Sequence, residues 1–198
     1  MKTETIKIGL VGNPNVGKST VFNALTGMKQ HTGNWPGKTV ESAIGNFTHE
    51  DTEIIMYDLP GTYSLISHSK EEEVTRDFIC NEEYDAITIV CDAVCLERNL
   101  NLVLQVLEIT KNIIVCVNLI DEAKKKGIEI NFEKLSKLLN VPVIPICARD
   151  EEGLEDLIIT IKEVARSERK RARNASICLQ ESQINDRFKY NRKFKNKY

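Results

Sequence analysis
The chain has 198 residues, 41% hydrophobic and 28% charged, with a formal net charge of -2. That length holds one ordinary domain with a real core and an extension, and no apolar run approaches the ~20 residues of a bilayer-spanning helix. The N-terminus MKTETIKIGLVGN lacks the apolar core and cleavage site of a signal peptide, so the chain is expected in the cytoplasm.

Cys80, Cys91, Cys95, Cys116, Cys147 and Cys178 include no CxxC pair. They offer no spacing for a zinc site or a disulfide framework and read as reduced thiols. Charge is uneven along the chain. Residues 1–166 are acidic on balance, whereas the stretch from Arg169 to Lys197 is strongly basic.

In chain order, the apolar run Ile6–Val11 reads as a buried strand and Lys18–Thr26 as the helix that follows it. Between them lies Gly12-Asn13-Pro14-Asn15-Val16-Gly17-Lys18-Ser19, a match to GxxxxGK[ST] followed by Thr20. Glycines there let backbone N–H groups close around phosphate oxygens. Lys18 places its charge between the β- and γ-phosphates, and the Ser19 hydroxyl ligates Mg²⁺.

Val40–Thr48 alternates and predicts a half-exposed edge strand, antiparallel to a buried strand at Ile54–Leu59, with the turn at His49–Thr52. Asp58-Leu59-Pro60-Gly61 ends that second strand. Asp58 is expected to hold Mg²⁺ through water, and the Gly61 N–H to meet the γ-phosphate. Thr62 stands where Ras-like proteins place the Gln that orients the attacking water, so no side-chain base is evident. Glu71–Cys80 reads as a helix with a charged start.

Ile87–Cys91 is the next buried strand, and Leu96–Thr110 a helix whose stripe Leu100, Val103, Leu104, Leu107 should face the core. Ile113–Val117 then runs into Asn118-Leu119-Ile120-Asp121, which resembles the NKxD guanine motif with Leu in place of Lys. Asp121 would accept from guanine N1–H and the 2-amino group, which adenine cannot offer. After helix Phe132–Leu139 and strand Val143–Cys147, Cys147-Ala148-Arg149 resembles the SAK loop. The Ala148 N–H would aim at guanine O6, and Cys147 would brace the loop less firmly than Ser.

Helix Leu154–Arg166 closes the domain, assigned to residues 1–166. Residues 167–198 read as a basic tail, helical at first and disordered beyond Asn174. The alternation predicts an α/β P-loop GTPase fold of the Ras-like kind: a mostly parallel six-stranded sheet flanked by helices, with one antiparallel edge strand. Its ligand would lie beyond the carboxyl ends of the strands.

GNPNVGKST, the loop His31–Glu41 (HTGNWPGKTVE), DLPGTYSL and NLID together resemble the N-terminal G domain of the ferrous iron transport protein B (FeoB) family, over about residues 5–165. The resemblance implies that Gly37, Lys38 and Thr39 belong to switch I, with Thr39 a ligand of the γ-phosphate and Mg²⁺. Thr62 to about Glu73 would be switch II. It also implies K⁺ held by Asn15 and the Gly33 and Trp35 carbonyls, doing an arginine finger's electrostatic work.

Lys18, Thr39, Asn15 and Gly61 are then the catalytic set. The partners implied are GTP or GDP and the membrane permease of an iron transporter, at the cytoplasmic face of the inner membrane. The helical and permease domains that follow in the family do not appear in these residues. A homo-oligomer stays open, and DNA is not expected. Two alternatives remain: an Era-like ribosome-assembly GTPase, and a nucleotide-gated binding module with incidental turnover.

Leu119 and Cys147 both loosen the guanine contacts and predict quick GDP exchange. Release of mant-GDP should be faster than about once a minute, measured by stopped-flow displacement.

Overall fold
Strands that are apolar on both faces are stable only inside a sheet covered by helices on each side. The computed structural model, which describes residues 4–27, 30–34, 41–66 and 69–171, has this arrangement. In chain order the elements are β1 (Glu4–Gly12), α1 (Lys18–Thr26), β2 (Gln30–Asn34), β3 (Glu41–His49), β4 (Thr52–Asp58), α2 (Lys70–Asn81) and β5 (Ala86–Asp92). There follow α3 (Leu96–Ile109), β6 (Ile113–Asn118), α4 (Ile120–Lys125), α5 (Phe132–Leu139), β7 (Val143–Pro145) and α6 (Leu154–Arg171).

The strands form one sheet in the order β2-β3-β4-β1-β5-β6-β7. β1 pairs in parallel with β4 and β5, and β5-β6-β7 continue in parallel. β3 pairs antiparallel with β4 from His49↔Thr52 to Ala43↔Asp58, as the alternation in its sequence predicts. It is not the edge, however. β2 pairs antiparallel with β3 and takes that place, making seven strands where six were expected. Its sequence QHTGN has no hydrophobic signal, because backbone pairing to β3 defines it.

One face of the sheet buries Phe78 and Ile79 of α2, Leu102, Val103 and Val106 of α3, and Ile120 and Ala123 of α4. The other buries Val21, Phe22 and Leu25 of α1 with Leu157, Ile161 and Ala165 of α6. Each fully buried aliphatic or aromatic side chain contributes ~1.5–3 kcal/mol of transfer free energy. Of the expected α3 stripe, Val103 and Leu107 are buried and Leu100 packs against the core, whereas Leu104 is 44% exposed. Leu102 and Val106 are buried instead, because the sheet lies to that side of the helix.

α2 begins with a capping box: Ser69 Oγ accepts from the Glu72 N–H at 3.2 Å, and Glu72 Oε2 accepts from the Ser69 N–H at 3.4 Å. α4 had no counterpart in the sequence analysis, although its Asp121-Glu122 start and Lys124-Lys125 end match the helix dipole. Cys91, Cys116 and Cys147 are buried free thiols and Cys95 is an exposed one. No helix of the described residues is long and apolar enough to cross a membrane.

The Phe78 ring lies 5.4 Å from that of Tyr57 and 5.6 Å from that of Tyr84, with 1% of the residue exposed. Phe78→Ala should cost about 3–5 kcal/mol of stability, read from the urea midpoint at an unchanged slope.

Candidate functional site
β1 lies between β4 and β5, so the chain leaves it towards one side of the sheet and later returns on the other. In such sheets a crevice opens at the carboxyl end of the central strand. Four of the loops singled out in the sequence meet there.

The loop Gly12–Ser19 joins β1 to α1. Gly17 is the N-cap of α1 with φ +81°, and a Cβ at that position would overlap the Asn118 amide. The position therefore requires glycine on two counts. No side chain caps the first turn of α1, and no acidic residue occupies it. Its free N–H groups and positive dipole end favour an anion. Asn15 sits exposed at the loop's tip with φ +66°, a left-handed conformation that asparagine tolerates better than most residues. Asn13 is 3% exposed, and its Oδ1 has no partner among the described residues.

The Asp58–Thr62 loop is held against this one by backbone bonds. Leu59 N–H donates to Leu10 O at 3.1 Å and Thr62 N–H to Gly12 O at 3.0 Å. A Cβ on Gly61 would lie 3.3 Å from the Pro14 backbone, so the loops approach more closely there than a side chain comfortably allows. The Lys18 ammonium forms an ion pair with Asp58 Oδ1. Thr62 is 2% exposed and its hydroxyl donates to Ser64 O at 2.6 Å, so it is committed inside its own turn. The segment beyond is tied to helices. Gln105 Oε1 of α3 accepts from the Leu65 N–H at 2.7 Å and the Ser64 hydroxyl at 3.2 Å, and Arg98 lies 4.5 Å over the Tyr63 ring.

On the other side stands Asn118, 1% exposed at the end of β6. Its Nδ2 donates to Val16 O at 3.1 Å, and its Oδ1 accepts from the Ala148 N–H at 3.1 Å. One side chain thus joins the loops after β1 and β7. Leu119 follows with φ +64°, an uncommon conformation for a leucine that turns the chain directly into α4. Asp121 Oδ1 accepts from the Cys147 thiol at 3.4 Å, and Oδ2 from Arg149 Nη2 at 3.0 Å and Lys125 Nζ at 3.2 Å. Partial desolvation pushes the Asp121 carboxyl up, but the hydrogen bonds from Cys147 and Lys125 and the Lys125 charge outweigh it and hold it below its ordinary value. Burial, then the hydrogen bond to Asp150, pushes the Cys147 thiol up to about 11, so it acts as a neutral donor.

The family model for ferrous iron transport protein B matches residues 6–161. This chain belongs to the FeoB family. The Fe(2+) transporter FeoB of Staphylococcus aureus (strain MSSA476) is 43% identical over 153 residues, which are 77% of this chain and 23% of that protein. The chain thus spans about a quarter of the length of this curated relative. The solved G domain of the T. maritima FeoB iron transporter is 44% identical with TM-score 0.78, covering 82% of this chain and 99% of that one. The cytosolic domain of the same transporter in a GMPPNP form is 42% identical with TM-score 0.79, covering 88% and 67%. The fold is therefore that of the FeoB G domains, a P-loop GTPase fold.

Gly12 to Thr20, Asp58 to Gly61, Asn118, Leu119, Asp121 and Cys147 to Arg149 all fall at this end of the sheet. Gly33 lies on β2, in register with Ser42. Trp35, Gly37, Lys38 and Thr39 lie outside the described residues, as do His68 and the tail beyond Arg171. Gln105 and Asp150 were not singled out in the sequence. Asp150 was findable, since it directly follows the Cys-Ala-Arg loop, whereas Gln105 lies 40 residues from Leu65 and only packing reveals it.

Asn118→Ala would leave Val16 O and the Ala148 N–H without their buried partner. The expected loss is about 2–4 kcal/mol of stability together with a large loss of guanine-nucleotide affinity, measured by denaturation and by titration calorimetry.

Proposed function
We propose that this chain binds GTP with Mg²⁺ and hydrolyses it slowly with stimulation by K⁺, and that its nucleotide state regulates ferrous iron uptake by a transporter carrying this domain at the cytoplasmic face of the inner membrane. The observation that carries this reading is the convergence of four loops at one end of the sheet, joined by Asn118, by Lys18–Asp58 and by Thr62 N–H to Gly12 O. A relative solved in a GMPPNP form supports the choice of nucleotide. Family membership favours the iron-transporter reading over the Era-like one.

The residues suit both cations. Ser19, exposed at the start of α1, and Asp58 are oxygen donors of the hard type Mg²⁺ prefers, and Lys18 already supplies positive charge to Asp58. Thr39 is proposed as the third protein ligand from the family motif. Mg²⁺ would neutralise charge on the β- and γ-phosphates. Asn15, with the Gly33 and Trp35 carbonyls, is proposed to hold K⁺, whose charge would stand near the developing negative charge.

In the chemical step water attacks the γ-phosphorus and the bond to the β-phosphate oxygen breaks, leaving GDP and phosphate. Lys18 places a fixed charge where negative charge builds, and the Gly61 N–H donates to a γ-phosphate oxygen. Thr62 cannot orient the water, because its hydroxyl is buried and donates to Ser64 O. Turnover is slow for that reason, and added positive charge is the route left to speed it.

GTP hydrolysis is to be compared in KCl and NaCl at equal ionic strength for the parent chain and Asn15→Ala. The expected result is stimulation by K⁺ of at least about tenfold and at most the ~10³–10⁵ an arginine finger supplies, and its loss in the variant. Equal rates in the two salts would remove the cation mechanism and leave a nucleotide-gated binding module.

A further inference from the structure
We infer that Arg149 is a latch on the base-reading carboxylate, a residue that competes with guanine for Asp121 and so sets how readily nucleotide leaves. The inference rests on the guanine reading above and deepens it. In the structure the groups expected to read the base are satisfied by one another. Asp121 Oδ2 accepts from Arg149 Nη2 at 3.0 Å and from Lys125 Nζ at 3.2 Å. Asp121 Oδ1 accepts from the Cys147 thiol, and the Ala148 N–H is given to Asn118 Oδ1.

Guanine presents two donors, N1–H and the 2-amino group, to one carboxylate. Accepting both requires Asp121 to turn oxygen lone pairs away from its present donors. The thiol is buried, whereas Arg149 and Lys125 are 65% and 62% exposed and both can swing aside into water. Lys125 stays paired with Glu122 Oε1 at 3.1 Å on its own helix, so Arg149 is the partner that ties Asp121 to the opposite loop. A second contact holds it ready to return. Arg149 Nε donates to Asp150 Oδ1 at 3.4 Å, and Asp150 Oδ2, at 3.1 Å, shares the single Cys147 thiol proton with Asp121 Oδ1. A planar guanidinium can span two carboxylates at once, but a lysine ammonium offers a single point of charge. When the base lifts away, Arg149 is positioned to take its place and hold the loop closed on itself.

The experiment is stopped-flow release and association of mant-GDP for the full chain and for Arg149→Ala and Arg149→Lys. An exposed ion pair of this kind changes an equilibrium by about two- to fivefold. Release should therefore slow about two- to fivefold in Arg149→Ala and by less in Arg149→Lys, with tighter binding in the same order. The cycle closes with Asp121→Asn and a fluorescent xanthosine diphosphate, whose C2 carbonyl matches the new amide donor. In that background the second change Arg149→Ala should have no effect, since no carboxylate remains to be latched.

Unchanged or faster mant-GDP release in Arg149→Ala overturns the latch while leaving guanine binding intact. Equal slowing in the Asp121→Asn background also overturns it, because Arg149 would then act on the loop rather than through Asp121. If the parent chain fails to bind mant-GDP, the guanine reading falls, and the latch with it.

Discussion
Asn118 ends a buried strand, and its amide is donor and acceptor at once. Both functions are used on backbone groups of different loops, Val16 O and the Ala148 N–H. Backbone groups this deeply placed cannot turn to water, so each needs a partner inside the protein. The loops after β1, β6 and β7 are therefore held in one arrangement by a residue from the middle one. An aspartate in its place could not donate to Val16 O, and a leucine could meet neither need. Gly17 depends on it in turn, since the room a Cβ would take is filled by the Asn118 amide.

The loops are also charge-balanced without any bound group. Lys18 faces Asp58, Arg149 and Lys125 face Asp121, and Asp150 takes the Cys147 thiol. A group read by Asp121 would have to displace an internal partner, whereas the first turn of α1 offers its N–H groups free. Affinity is then a difference between two well-satisfied states. The position after Gly61 holds a buried Thr62 that closes its own turn and offers the solvent nothing.

Motion is bounded in the same terms. The segment Thr62–Ile66 is fastened to α3 through Gln105 and to α2 through Arg76, whose Nη1 donates to Leu65 O at 3.3 Å. A shift in that segment would be passed to two helices that cover one face of the sheet. At the far end of β3 and β4, His49 contacts Glu155 at 2.9 Å and Lys162 at 3.1 Å, fastening the hairpin to α6. The β3–β4 ribbon thus connects the candidate site to the last helix through rigid backbone pairing.

The parallel core and the four loop motifs, Gly12–Ser19 among them, were legible in the sequence. Runs such as Ile113–Val117 are apolar on both faces, and GxxxxGK[ST] depends on residue types that local backbone geometry demands. β2 was not legible, because QHTGN becomes a strand only by pairing with β3. On α3 the residues Val103 and Leu107 were legible, but Leu104 was not, because the sheet's position buries Leu102 and Val106 in its stead. The sequence by itself determined the fold class, the family and the residue types at the candidate site, since these follow from local pattern and spacing. Only the tertiary structure decided which of those residues satisfy one another. Asn118 to Val16, Arg149 to Asp121 and Gln105 to Leu65 are meetings of groups 102, 28 and 40 residues apart, and such contacts depend on packing that no local signal encodes.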